Sequence, residues 1–235
     1  MRVLNVVLLG LFMLSACGQA GARDPLIPQL EELAEHGSGE AMYHLGMAYW
    51  TGTGATKDQA KAANYFRRAA ASGDPLGAYK LGCLYDGQDG VFERNSTAAL
   101  KYKLVAAQAG YALAQQDVAA LYAQKGDFAT AIQWLEKAAR QGTSSALMTY
   151  ASVHNGAPGI ERDPVKTAAY FRLYVDRAKA TAEQRTWLRS FEKKLNVEQR
   201  AQAARIVADY RPAPTPLTLK ALGGVESAKA LGVAH

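Results

Sequence analysis

The stretch Gly37–Gly73, GSGEAMYHLGMAYWTGTGATKDQAKAANYFRRAAASG, decides the fold. Its opening glycine returns at Gly73, Gly110 and Gly142, in steps of 36, 37 and 32 residues. Four residues after each glycine comes a small side chain: Ala41, Gly77, Ala114 or Ala146. Four further comes a large one, Leu45, Leu81, Val118 or Tyr150, followed directly by Gly46, Gly82, Ala119 or Ala151. Tyr49, Tyr85, Tyr122 and His154 stand four residues beyond, and a late aromatic recurs at Tyr65, Tyr102, Trp134 and Tyr170. Self-similarity at this period marks a stack of repeated units. Ala41, Leu45 and Tyr49 share one helix stripe, and Ala62, Tyr65, Phe66, Ala69 and Ala70 form a second at the same 3–4 spacing. Each unit therefore reads as two antiparallel helices, A and B, with the closing glycine as a left-handed C-cap. Neither helix can bury its apolar face alone, so stacking makes one continuous core. A glycine inside a helix costs about 1 kcal/mol relative to Ala. The small residue at Gly46 and Gly82 therefore predicts another helix backbone passing close by.

These residues carry a resemblance. LGMAYWTGTGATKDQAKAANYFRRAAASGD resembles a unit of the Sel-1-like repeat family, a long-loop relative of the tetratricopeptide repeat, through Leu45-Gly46, Tyr49, Gly52, Gly54, Asp58, Lys61-Ala62, Tyr65-Phe66, Ala69-Ala70 and Gly73. The second unit keeps Leu81-Gly82, Tyr85, Gly87, Gly90 and Gly110, and the fourth keeps Asn155-Gly156, Gly159 and Asp163-Pro164. The third lacks the long loop and is closer to an ordinary tetratricopeptide unit. The resemblance implies an all-α, right-handed α/α superhelical solenoid of about four units over residues 25–178. At the end of the fourth unit Tyr174-Val175 and Ala178 replace the Ala-Ala and Gly, so the regular stack is expected to stop there.

Outward from the repeats, Pro25–His36 places Leu30, Leu33 and Ala34 at helical spacing and reads as a cap on the first unit. Before it, Arg2 and the apolar run Val3–Leu14 read as a secretion signal, too short to span a membrane. Leu14-Ser15-Ala16-Cys17 resembles the lipobox of bacterial lipoproteins. That resemblance implies a signal peptide over residues 1–16, lipid on Cys17, a tether over 17–24, and a chain facing the periplasm. By the same resemblance, Gly18 in place of an aspartate after the cysteine implies the outer membrane. The alternative is an ordinary signal peptide cut near Ala20 or Ala22.

Beyond the repeats, residues 179–211 read as two capping helices. Thr181-Ala-Glu-Gln184 and Asn196-Val-Glu-Gln199 give their start signals. Trp187, Leu188, Phe191 and Leu195 form one apolar face, and Val197, Ala201, Ala204, Val207 and Ala208 the next. Pro212, Pro214 and Pro216 open a final stretch, 212–235, expected to be a flexible tail, with a docked helix as the alternative.

Sites of chemistry are hard to find in 235 residues of ordinary composition, 49% hydrophobic with 27 basic against 21 acidic side chains. Cys83 reads as a packing residue. His36, His44, His154 and His235 show no metal-ligand spacing. His154 replaces a repeat tyrosine, which predicts an intra-repeat hydrogen bond. The basic residues Arg67, Arg68, Lys101, Lys103, Lys137 and Arg140 are expected on the solvated faces of B helices. The chain reads as no enzyme, with no cofactor, no metal and no nucleic-acid partner. Its expected role is a protein-binding scaffold whose concave side is lined by the A-helix stripe beside the core stripe: Tyr43, Met47 and Trp50, then Tyr79, Cys83 and Asp86, then Gln116, Ala120 and Ala123, then Met148, Ser152 and Asn155. Of these, Tyr43, Met47, Trp50, Tyr79, Asp86, Gln116, Met148 and Asn155 are the candidate partner-binding residues. Family resemblance suggests an assembly factor for an envelope complex such as exopolysaccharide export. The rival is a glycan- or peptide-binding wall accessory or enzyme, which would need acidic and aromatic side chains converging in the groove.

Overall fold

A computed structural model describes residues 25–87, 90 and 92–233. The signal peptide, Cys17 and the tether lie outside the described residues. Thirteen helices follow one another among those described. A first helix, α1 (Leu26–Glu35), precedes four A–B pairs: α2 (Gly39–Thr51) with α3 (Gln59–Ala71), α4 (Pro75–Tyr85) with α5 (Ser96–Gln108), α6 (Ala112–Gln124) with α7 (Phe128–Arg140), and α8 (Ser144–His154) with α9 (Pro164–Arg177). Then come α10 (Ala182–Glu192), α11 (Val197–Asp209), α12 (Pro216–Gly223) and α13 (Val225–Val233).

Most of the repeat helices start at side-chain caps that the sequence reading did not single out. Ser38, Asp58, Asp74, Asn95, Asp127 and Asp163 each cap a helix by accepting a backbone N–H three residues on. Thr181 and Asn196 form full capping boxes. At Gly73, with φ +82°, the chain leaves α3 through a Schellman turn in which Gly73 N–H donates to Ala70 O and Asp74 N–H to Ala69 O. The core stripe Ala41, Leu45 and Tyr49 is buried, as are Ala62, Phe66 and Ala69 opposite it. Ile27, Leu30 and Ala34 of α1 close the first unit.

Three expectations change. The close neighbour at Gly46 is not a backbone but the Phe66 ring, which a Cβ would meet at 2.5 Å. At Gly82 the α5 backbone does come close, with Ala99 O and Lys103 N both 3.1 Å from where a Cβ would sit. The α11 stripe is only partly covered: Ala203 is buried, Val197 is 76% exposed, and Ala204, Val207 and Ala208 line an open slot of ≈440 Å³ against α9.

The largest change is the end of the chain. Residues 212–235 are not a flexible tail over their described part. From Tyr210 they run back along the solenoid to α1 as a strap. The Tyr210 hydroxyl donates to Ala139 O at 2.6 Å, and Ala213 N–H donates to Arg140 O at 3.0 Å. Thr215 N–H and the Thr218 hydroxyl both donate to Gln141 Oε1, at 3.1 and 2.7 Å, while Thr218 Oγ1 accepts from Ala112 N–H at 3.0 Å. Gln141 Nε2 in turn donates to Gly110 O and Gln115 Oε1. Pro212 and Thr215 lie over Gly142 and Gly110, where a Cβ would clash at 2.6 and 2.8 Å. Lys220 then pairs with Glu40 at 2.8 Å, and Ala228 is buried in the first unit's core.

Candidate functional site

The expected partner-binding stripe is best followed unit by unit. In the first unit Tyr43 is 7% exposed, its ring 6.4 Å from Phe66, and Met47 and Trp50 are half-buried. The strap covers this ground. Tyr43, Met47 and Ala48 face Ala221, Val225 and Ala228 across a cavity of ≈200 Å³. In the second unit Tyr79 is buried, its hydroxyl donating to Asp117 Oδ2 at 3.2 Å and its ring edge-on to Tyr111 at 4.9 Å. Tyr43 and Tyr79 therefore complete the packing instead of presenting a surface. Cys83 is buried beside Tyr79, as its packing role requires.

Asp86, also expected on the binding stripe, serves a buried ion cluster. Lys103, expected on a solvated face, is 1% exposed and pairs with Asp86 Oδ2 at 2.6 Å and Asp117 Oδ2 at 2.9 Å. Its stem passes over Gly82, where a Cβ would sit 2.8 Å from Lys103 Cγ. Burial alone would lower the ammonium pKa, but the hydrogen bonds to Asp86 and Asp117 outweigh it and hold it above the usual range. Asp117 went unnoticed in the sequence. The clue was the register: Lys103 occupies the position of Phe66 and Leu135, both buried, so a charge there needs a partner.

In the third and fourth units the same stripe is open. Gln116, Ala120 and Ala123 of α6 line a groove of ≈290 Å³ whose other walls include Ile132, Thr149 and Val153. Gln116 bridges to α8, accepting from Ser145 Oγ at 3.1 Å and donating to Thr149 Oγ1 at 3.4 Å. Met148 is 38% exposed and Asn155 is exposed. So of the eight candidates, Gln116 lies in the groove, Met148 is on α8, the A helix that forms its far wall, and Asn155 is that helix's C-cap. His154 makes no hydrogen bond through either ring nitrogen; its ring packs edge-on against Tyr150 at 4.6 Å. Burial, reinforced by Lys166, keeps it below the usual histidine pKa, although Asp163 and Glu136 oppose the shift.

Chemically, this is a surface for contact. The groove's lining includes no aromatic ring and one carboxylate, Asp117, already paired to Lys103. Among the described residues no group of three His, Cys, Asp or Glu side chains is placed to hold a metal, and no helix is long and apolar enough to cross a membrane.

A solenoid of paired helices with an open inner groove defines a class of interaction scaffolds. Residues 39–74, 75–111, 112–143 and 145–173 each match the Sel1 repeat, and the chain belongs to that family. The Sel1 repeat protein from Oxalobacter formigenes is similar in structure, with TM-score 0.60 and 23% identity over 79% of this chain and 78% of that one. A putative sel1 repeat protein from Klebsiella pneumoniae subsp. pneumoniae gives TM-score 0.50 and 22% identity, over 88% and 96%. The protective antigen c5321 of uropathogenic Escherichia coli, which displays an SLR fold, gives TM-score 0.49 and 24% identity over 82% of this chain. The chain spans 50% of that antigen's length. No curated protein matches the chain. At these identities the likeness carries the fold alone.

Proposed function

We propose that this chain is a non-catalytic scaffold of the bacterial cell envelope, held on the outer membrane by lipid on Cys17, which binds a protein partner in the groove of its third and fourth units. The open groove carries this reading. Its Gln116 and Ala120 stand at the register of Tyr43 and Met47, which in the first unit face the chain's own strap. A helix presenting small apolar side chains fits a trough walled by Ala120, Ala123, Ile132 and Val153, with Gln116 and Thr149 supplying polar contacts. Sel1 repeats commonly serve as protein-interaction scaffolds, which agrees with this role. Assembly of an envelope complex, such as an exopolysaccharide exporter, is the pathway the resemblance favours.

The test is Ala120→Arg, which puts a charge into the groove of a fully exported chain. Compared with the parent and with Arg205→Ala on α11, the expected variant melts within a few degrees of the parent. It should lose a partner that both others retain from detergent-solubilised envelopes. Undiminished recovery of that partner by a folded Ala120→Arg chain would overturn the assignment.

A further inference from the structure

We infer that the α12–α13 arm lies on the lipid surface, through a row of apolar side chains on its outer side. This deepens the proposed function and rests on its reading that the chain is anchored through residue 17.

The arm carries large apolar residues on both sides. Its inner side sets Leu217, Ala221 and Leu231 against the first unit's core, with Thr218 and Ala228 buried. Its outer side carries Leu219, 54% exposed, and Leu222, 74%. A solenoid's terminal element ordinarily offers a polar outer face, because that face must meet water. Leu113 extends the row. Leu113, 39% exposed, follows Ala112, whose N–H donates to Thr218 Oγ1 one residue before Leu219, and Leu222 follows one helical turn on. Leu113, Leu219 and Leu222, three of the eight large apolar side chains exposed among the described residues, thus lie near one another, which scattered surface leucines do not explain.

Position selects lipid as the occupant. The strap ends on α1: a Cβ at Gly232 would meet Gln29 at 2.8 Å and Leu26 at 3.4 Å. From Gly232 back to Val225 the helix rises only about 10 Å. The eight residues from Cys17 to Asp24 span at most about 27 Å when fully extended. A bilayer holding residue 17 therefore comes within reach of the row. Lysines 220 and 229 flank it, 42% and 56% exposed, as on helices that lie in the headgroup layer with their stems along the interface. From residue 17 onward the chain keeps 26 basic against 21 acidic side chains (27 less Arg2), and this excess adds attraction to anionic lipid.

The experiment fixes the tether by hand, so that it does not depend on lipidation. The chain from residue 17 onward, with Cys17→Ser and an N-terminal hexahistidine, is held on phosphatidylethanolamine–phosphatidylglycerol vesicles containing nickel-chelating lipid. A polarity-sensitive fluorophore is attached at Leu222→Cys, or at Gln202→Cys on α11 as the distant control; Cys83 is buried and stays unlabelled. On vesicles the label at 222 should shift to the blue and be quenched by spin-labelled lipid, while the label at 202 does neither. Emission at 222 unchanged from the vesicle-free protein overturns the inference, and so does an equal shift at both positions. Whether the native chain carries lipid is read separately from the mass of its N-terminal peptide, so each reading can fail alone.

Discussion

The first and third units carry the same stripe of the A helix, and the molecule treats the two oppositely. In the first, Tyr43 and Met47 lie under the α12–α13 arm; in the third, Gln116, Ala120 and Ala123 face an unfilled groove. Between them, the second unit turns its stripe inward, with Tyr79 bonded to Asp117 and Asp86 bonded to Lys103. A repeat protein thus has a polarity that its period does not announce. The end with the larger and more aromatic stripe is consumed by internal packing. The end with small side chains stays available. Aromatic residues are the usual anchors of interfaces, but the same apolar area makes them the first to be buried when a spare helix is at hand.

The sharpest way to break this comparison is to treat stripe residues of the two halves alike. Asp86→Ala combined with Asp117→Ala leaves the buried Lys103 ammonium without compensation and should cost about 3–5 kcal/mol. Gln116→Ala in the open half should cost less than about 0.5 kcal/mol. Urea unfolding of both variants measures the difference. Equal losses would mean that the second unit's carboxylates are not structural and remain candidates for a partner.

A smaller effect is expected from loosening the strap. Thr218→Val keeps the shape but removes the hydroxyl shared by Gln141 and Ala112, and leaving those buried groups unsatisfied should cost about 1–3 kcal/mol. The groove of the third unit should be unaffected, since none of its lining residues touches that network. Amide exchange would show faster opening of α12, α13 and α2 and unchanged protection in α6. Faster exchange spread evenly over all four units would contradict a separable strap.

The pattern of legibility in the sequence follows from distance along the chain. Much of what is set by contacts within a unit could be read: the glycine C-caps, the Ala41–Leu45–Tyr49 stripe and both capping boxes. Lys103 was readable in principle, because the register puts it at the position of Phe66, yet its two carboxylates come from α4 and α6 and share no period with it. The strap was not readable. Its anchor joins Thr218 to Gln141, 77 residues apart, and three prolines at its start argue locally against order. Its inner face, Leu217, Ala221, Ala228 and Leu231, is interrupted at Gly223-Gly224 and makes no continuous apolar stripe to recognise. Periodicity therefore identified which residues share a face and left open what covers it. His154 failed for a related reason: its shorter ring replaces the repeat tyrosine without reaching the partner that Tyr49 finds in Lys61.

The difference between the two ends can be measured without knowing the partner. Met47→Cys and Ala120→Cys, each in a chain with Cys17→Ser, place single reactive thiols at equivalent positions of the first and third units, with Cys83 buried in both. Thiol labelling of the folded proteins under native conditions compares the two surfaces directly. Cys at position 120 should react at least about tenfold faster than at 47, whose exposure requires the arm to open against a barrier of about 1.4 kcal/mol or more. Equal rates, or faster labelling at 47, would contradict a first unit sealed by its own strap and a third unit left open.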